Sequence, residues 1–124
     1  MGASKRFIRT SCAAALLTFF STGHAFATEI QEGIASFYSD RFQGSPTASG
    51  VPFDQQALTA AHPTLPFGTK VLVTRPDTGQ EVEVLINDRG PFVKGRIIDL
   101  SKRAARQLGM IRRGVAPVMI TLVD

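Results

Sequence analysis

The sequence predicts a small, mainly β domain that closes as a barrel, and three observations predict it. Short runs with strand-like patterning recur from residue 34 to 123, glycine and proline breakers separate them, and a single capped helical pattern lies near the C-terminus. A chain of 124 residues supports one such domain around one core.

Residues 1–27 read as a secretory signal and residues 28–124 as the mature domain. Lys5, Arg6 and Arg9 precede a short apolar core, Cys12 to Phe20, and Ala25-Phe26-Ala27 has the small-x-small pattern of a signal-peptidase site. The apolar core is too short to span a bilayer as a helix. The protein is therefore expected to be exported, to the periplasm or the medium, without stable membrane insertion once the signal is removed. The only cysteine, Cys12, lies in the leader, which leaves the domain no disulfide and no thiolate metal site. The formal charge of +4 shrinks in the same way. Three of the 14 basic residues sit in the leader and all 10 acidic ones lie beyond it, so eleven face ten and nucleic-acid binding is not expected.

Ile34 to Tyr38 reads as a strand. Asp40 to Asp54 carries Gly44, Pro46, Gly50 and Pro52 and reads as a long loop, a length that in so small a domain points to function. Gln55 to Ala61 is expected to form a short helical turn before His62-Pro63. Thr69 to Thr74 and Glu81 to Ile86 are strands joined by the turn Pro76-Asp77-Thr78-Gly79, and they are expected to pair as a hairpin. Ile97 to Leu100 is a short strand. Ser101 is a good N-cap for a helix over Lys102 to Leu108, with Gly109 as its stop and Ala104, Ala105 and Leu108 facing the core. Ala116 to Val123 is the last strand. The count of helices is one or two, both short.

The stretch richest in chemistry is Asn87-Asp88-Arg89-Gly90-Pro91-Phe92, followed by Arg96-Ile97-Ile98-Asp99-Leu100-Ser101. Two carboxylates and two guanidinium groups follow an apolar strand, and Gly90-Pro91 turns the chain directly after Asp88 and Arg89. An ion-paired loop tie is the plainer explanation of such a cluster; a site presented at a strand end is the other.

These blocks, with Gly33 to Tyr38, Thr47-Ala48-Ser49-Gly50 and Leu58 to Thr69, resemble in order and spacing the signature blocks of RlpA-like proteins over essentially all of the mature domain. The resemblance implies a six-stranded double-psi β-barrel, related to expansin barrels, acting on peptidoglycan. Some such proteins are lytic transglycosylases that cut glycan strands lacking stem peptides. It also implies catalytic positions at Asp88 and His62. It places Asp99, Thr47, Ser49 and Arg89 along the substrate groove. Val51 stands where active members usually carry a glutamate.

The residue types leave several roles open. Asp88 is the first choice for a carboxyl that protonates a leaving oxygen and then takes the proton of the attacking hydroxyl. Asp99 either lines the groove or helps cap the following helix. Asp54 could stand in for the missing glutamate or cap a loop turn. His62 bridges loops, orients Asp88 or contacts sugar. Of Phe37 and Tyr38 one must face the core, and Tyr38, with its polar tip, is the better sugar contact. The other histidine, His24, lies in the leader, so a histidine metal site lacks ligands and no cofactor is expected. Glycan strands are the expected partner and a monomer the expected state. A non-catalytic, expansin-like glycan-binding barrel is the alternative, motivated by Val51. A hydrolase pairing Asp88 with Asp99 is the weaker third.

Overall fold

A computed structural model describes residues 30–123; the leader, with Cys12 and His24, lies outside the described residues. Six strands run in chain order: β1 (Ile30–Phe37), β2 (Thr59–Ala61), β3 (Lys70–Thr74), β4 (Glu81–Asp88), β5 (Arg96–Leu100) and β6 (Ala116–Leu122), with a helix α1 (Lys102–Gln107) between β5 and β6. They close into a barrel in the order β1-β5-β2-β4-β3-β6. β1 pairs parallel with β5 and β2 parallel with β4, while every other neighbour is antiparallel. This is the double-psi β-barrel.

The alternation read in the sequence sets the two faces. On β4, Val82, Val84 and Ile86 are buried and Glu81, Glu83 and Leu85 exposed, and β3 matches with Val71 and Val73 inside. These two strands pair as the expected hairpin, Lys70 opposite Leu85 through Thr74 opposite Glu81. Ile98 and Leu100 of β5, Val118 and Ile120 of β6, and Ala104, Ala105 and Leu108 at the helix complete the core. Ser101 caps α1, its Oγ accepting from the Ala104 amide at 3.3 Å. Arg75 is buried at the hairpin turn, where Nη1 donates to the carbonyls of Leu108 at 2.8 Å and Gly109 at 3.3 Å, so the turn also closes the end of the helix.

Beyond shifts of one or two residues at element ends, three boundaries differ from the sequence reading. The helical turn expected over 55–61 exists only as a turn at 54–57, where the Ala57 amide bonds the Asp54 carbonyl at 3.1 Å. Thr59–Ala61 is instead strand β2, extended because β4 and β5 offer it ladder partners on both sides. β1 begins at Ile30, four residues earlier than expected, because Ile30–Gly33 pair with β6 although Ile30, Gln31 and Glu32 are exposed. Gly33 is required where β1 crosses β5, since a Cβ there would lie 2.5 Å from the Ile97 side chain. No helix among the described residues is long and apolar enough to cross a membrane.

Candidate functional site: a carboxylate at the end of strand β4

The barrel register lines up one row of residues across four adjacent strands. Ser36 on β1 pairs with Asp99 on β5, Asp99 with Ala61 on β2, and Ala61 with Asp88 on β4. Two strand spacings separate the Cα atoms of Asp88 and Asp99, on the order of 10 Å. The smallest side chain of the row, Ala61, lies between them.

Asp88 sits at the last position of β4 with both carboxylate oxygens engaged. Oδ2 accepts the Tyr38 hydroxyl at 2.6 Å, and Oδ1 accepts the amides of Ala48 at 2.7 Å and of Arg89 at 2.9 Å. Tyr38 is stacked on buried Phe53, with ring centroids 4.0 Å apart. Burial, then the hydrogen bond to Asp88 and the negative charge of Asp88, push the Tyr38 phenol far above its ordinary value, so it remains a proton donor. The negative charge of Asp99 adds to this shift, so Tyr38 senses both carboxylates. Phe37, its neighbour, packs on the core, as alternation requires.

Asp99 does not cap α1; Ser101 does. Its Oδ1 accepts from Arg96 Nη2 at 2.6 Å and from the Ser36 hydroxyl, and Arg96 Nη2 also donates to Ser36 Oγ. The second carboxylate is therefore committed to an ion pair.

The long loop is tied to the end of β4. Successive carbonyls of a strand point to opposite edges. Ile86 O takes the Gly68 amide at 2.8 Å and Asn87 O the Ser49 amide at 3.3 Å, so segments 62–69 and 38–58 flank the strand on either side. Thr47 is buried and closes its own turn, Oγ1 donating to the Val51 carbonyl at 2.7 Å and lying 2.9 Å from Ser49 Oγ. Asp54 caps a turn, accepting the Gln56 amide at 2.9 Å. Val51 is 54% exposed. It borders a groove of about 480 Å³ with Pro52, Phe53, Asp54, Thr59 and Asn87. Thr59 Oγ1 and Asn87 Oδ1, buried beside that groove, have no hydrogen-bond partner among the described residues.

His62 lies one residue past Ala61, and its backbone amide bonds the Asp88 carbonyl at 3.1 Å. Its ring is turned to other partners. Nε2 lies 2.7 Å from Gln31 Oε1, and Nδ1 accepts the amides of Thr64 and Leu65, both at 3.1 Å. Two donors on Nδ1 require the neutral tautomer protonated at Nε2. Burial first, then the charge of Arg89, hold His62 below the ordinary histidine value. The ring lines a separate cavity of about 190 Å³ with Gln31, Leu65 and Ile120. Of the roles open for His62, loop bridging is the one its ring contacts make; the ring has no hydrogen bond with Asp88 among the described residues. Arg89 donates from Nη1 to the His62 carbonyl at 3.1 Å and stacks over Phe67, 4.1 Å to the ring centroid.

Sequence reasoning passed over Ser36 and Phe53 as site-building residues and placed Arg96 in the charged cluster without assigning it to Asp99. Ser36 and Arg96 lay inside the motif blocks and could have been paired with Asp99 once the β1–β5 register was known. Phe53 carried no signal, because its role depends on a loop folding back onto Tyr38. Among the described residues no group of three or more His, Cys, Asp or Glu is placed to hold a metal ion.

A double-psi barrel presenting an end-of-strand carboxylate beside a long tied loop is the class that fold and site define. The lytic transglycolase family model matches residues 30–120, and the chain belongs to that family. A relative from Nostoc sp., "Probable endolytic peptidoglycan transglycosylase RlpA", is 60% identical over 94 residues, covering 74% of this chain and 25% of that protein. "Endolytic peptidoglycan transglycosylase RlpA" of Pasteurella multocida is 54% identical over 94 residues, covering 76% and 32%. The chain thus spans a quarter to a third of the length of these relatives. Among solved structures, the apo expansin of Clavibacter michiganensis is similar with a TM-score of 0.61 at 27% identity, covering 77% of this chain and 51% of that one. The Streptomyces papain inhibitor is similar with a TM-score of 0.64 at 26% identity, covering 79% and 97%.

Proposed function

We propose that this chain is an exported peptidoglycan-acting lytic transglycosylase that cleaves peptide-free glycan strands to 1,6-anhydromuramyl ends, with Asp88 as its acid/base. The observation that carries the reading is the carboxylate of Asp88, held at the strand end by Tyr38 and two amides. In such a cleavage the muramyl 6-hydroxyl attacks its own anomeric carbon. The C1–O6 bond forms as the bond from C1 to the leaving oxygen breaks, and the proton of the 6-hydroxyl ends on that oxygen. One carboxyl can carry this proton in both directions, so no activated water and no second carboxylate are needed. A hydrolase needs a second carboxylate placed for water or for covalent attack. The commitment of Asp99 to Arg96 and Ser36 therefore favours the one-carboxylate route. The relatives named transglycosylases support the same class.

Val51 favours a second reading, a barrel that docks on glycan without cutting it, because an apolar side chain supplies no proton and accepts no hydrogen bond at that position. One experiment separates the two. The purified protein, its Asp88→Asn variant and its Val51→Glu variant are incubated with peptide-free glycan strands, and products are read by mass spectrometry. The first reading expects anhydro-ended fragments, lost in Asp88→Asn and increased in Val51→Glu. Sedimentation with sacculi and no anhydro product from any of the three proteins supports the second.

A further inference from the structure

Arg89 carries a charge that the described fold does not neutralise. The ion pairs there are made by Arg75, Arg96, Lys102 and Arg113, none by Arg89. Its Nη1 is held by the carbonyls of His62 at 3.1 Å and Asp88 at 3.4 Å. One face of the guanidinium rests on Phe67, itself 42% exposed. Nε and Nη2 have no protein acceptor among the described residues, and together they form the edge that grips a carboxylate with two parallel hydrogen bonds. A stacked, half-buried guanidinium anchored at one nitrogen has already lost most of its rotamer freedom, so an anion binds it at small entropic cost.

We propose that Arg89, backed by Phe67, holds the free lactyl carboxylate of a muramyl residue and so selects glycan whose lactyl groups carry no peptide. This rests on the glycan reading above. The lactyl ether stands on C3 of the sugar, two ring carbons from the C1 that is attacked. Arg89 follows Asp88 directly; its guanidinium lies on the 62–69 flank of the strand end and the Asp88 carboxylate on the 38–58 flank, so a glycan strand crossing the end of β4 meets both groups. A stem peptide turns the lactyl carboxyl into a neutral amide and removes the negative charge that the Nε–Nη2 edge would grip. Selection for peptide-free strands then follows from charge chemistry at one residue.

The test measures binding, in an Asp88→Asn background so that no strand is consumed. The probes are peptide-free glycan strands and the same strands with the lactyl carboxyls converted to methylamides. Calorimetry should find the free-carboxylate strand bound about tenfold more tightly, with the preference shrinking as salt is raised. Arg89→Gln, which keeps a polar donor but no charge, should abolish the preference. Arg89→Lys should keep part of it, and so should Phe67→Leu, which leaves the charge but removes its support. A preference that survives in Arg89→Gln overturns the inference. Equal binding of both strands by the parent protein overturns it while leaving the glycan reading standing, and binding of neither removes both.

Discussion

Replacing His62 with alanine removes one acceptor from two backbone amides at once. Nδ1 takes the N–H groups of Thr64 and Leu65, and Nε2 reaches Gln31, so the ring bridges β1 to the segment that follows β2. Each lost bond is worth about 1 kcal/mol. The ring is 2% exposed beside an existing cavity, and deleting it adds roughly another 1 kcal/mol of lost burial. The expected destabilisation is about 2–4 kcal/mol, a large share of what a domain this size holds. Urea denaturation at pH 7.5 measures it. His62→Asn, whose Oδ1 can replace Nδ1 as acceptor, should recover about half. The same geometry sets a pH dependence. Folding lowers the His62 value, so below the ordinary value of 6.5 the unfolded chain binds a proton that the folded one refuses, and stability falls with pH. The slope is at most about 1.4 kcal/mol per pH unit and ends where the folded ring itself titrates. His62→Asn should lack that component. If His62→Ala changes stability by less than about 0.5 kcal/mol yet abolishes turnover, the bridging account is wrong and the ring acts in the chemistry.

Other outcomes follow from single contacts. Tyr38→Phe keeps the stack on Phe53 but removes the hydroxyl from Asp88; turnover on peptide-free glycan should fall about ten- to a hundredfold, and an unchanged rate would remove Tyr38 from the site. Thr59→Val deletes a buried hydroxyl that has no partner among the described residues, so the unfolding free energy read from urea curves should rise by about 0.5–1.5 kcal/mol. A fall would mean that the hydroxyl is satisfied in solution. Arg75→Leu leaves the Leu108 and Gly109 carbonyls without their donor, at a cost of about 2–3 kcal/mol, read from the same unfolding curves.

The elements that were legible in the sequence are those whose signals are local. The β3–β4 hairpin announces itself by alternation around Pro76 to Gly79, and the helix by Ser101 and Gly109. β2 was not legible, because Thr59-Ala60-Ala61 has no alternation of its own and is a strand only where β4 and β5 sandwich it. The same division holds at the site. Asp88 stands out beside Gly90-Pro91, whereas its bond to Tyr38 spans 50 positions and exists only once the barrel closes. Asp99 looked equally suited to capping and to the groove. The choice depended on Ser101 being free to cap and on β1 bringing Ser36 alongside. For His62 the motif supplied a position but no orientation, and orientation decides which cavity the ring enters.

The loop-tie and the chemical readings of Asp88 do not exclude each other, because they use different atoms. A carboxylate oxygen accepts about two hydrogen bonds. Oδ1 has both, from Ala48 and Arg89, and these hold the loop and the turn. Oδ2 has one, from Tyr38, and keeps a second lone pair free. On the proposed chemistry any proton exchanged with the glycan therefore passes through Oδ2, the oxygen that Tyr38 also reaches. Tyr38 cannot be the source of that proton, since burial and the neighbouring carboxylates keep its phenol protonated. It can strengthen its bond as Asp88 becomes charged and relax it as Asp88 is neutralised. The tie at Oδ1 keeps the carboxylate plane fixed while charge at Oδ2 changes, so anchoring the loop is part of how the carboxyl is aimed.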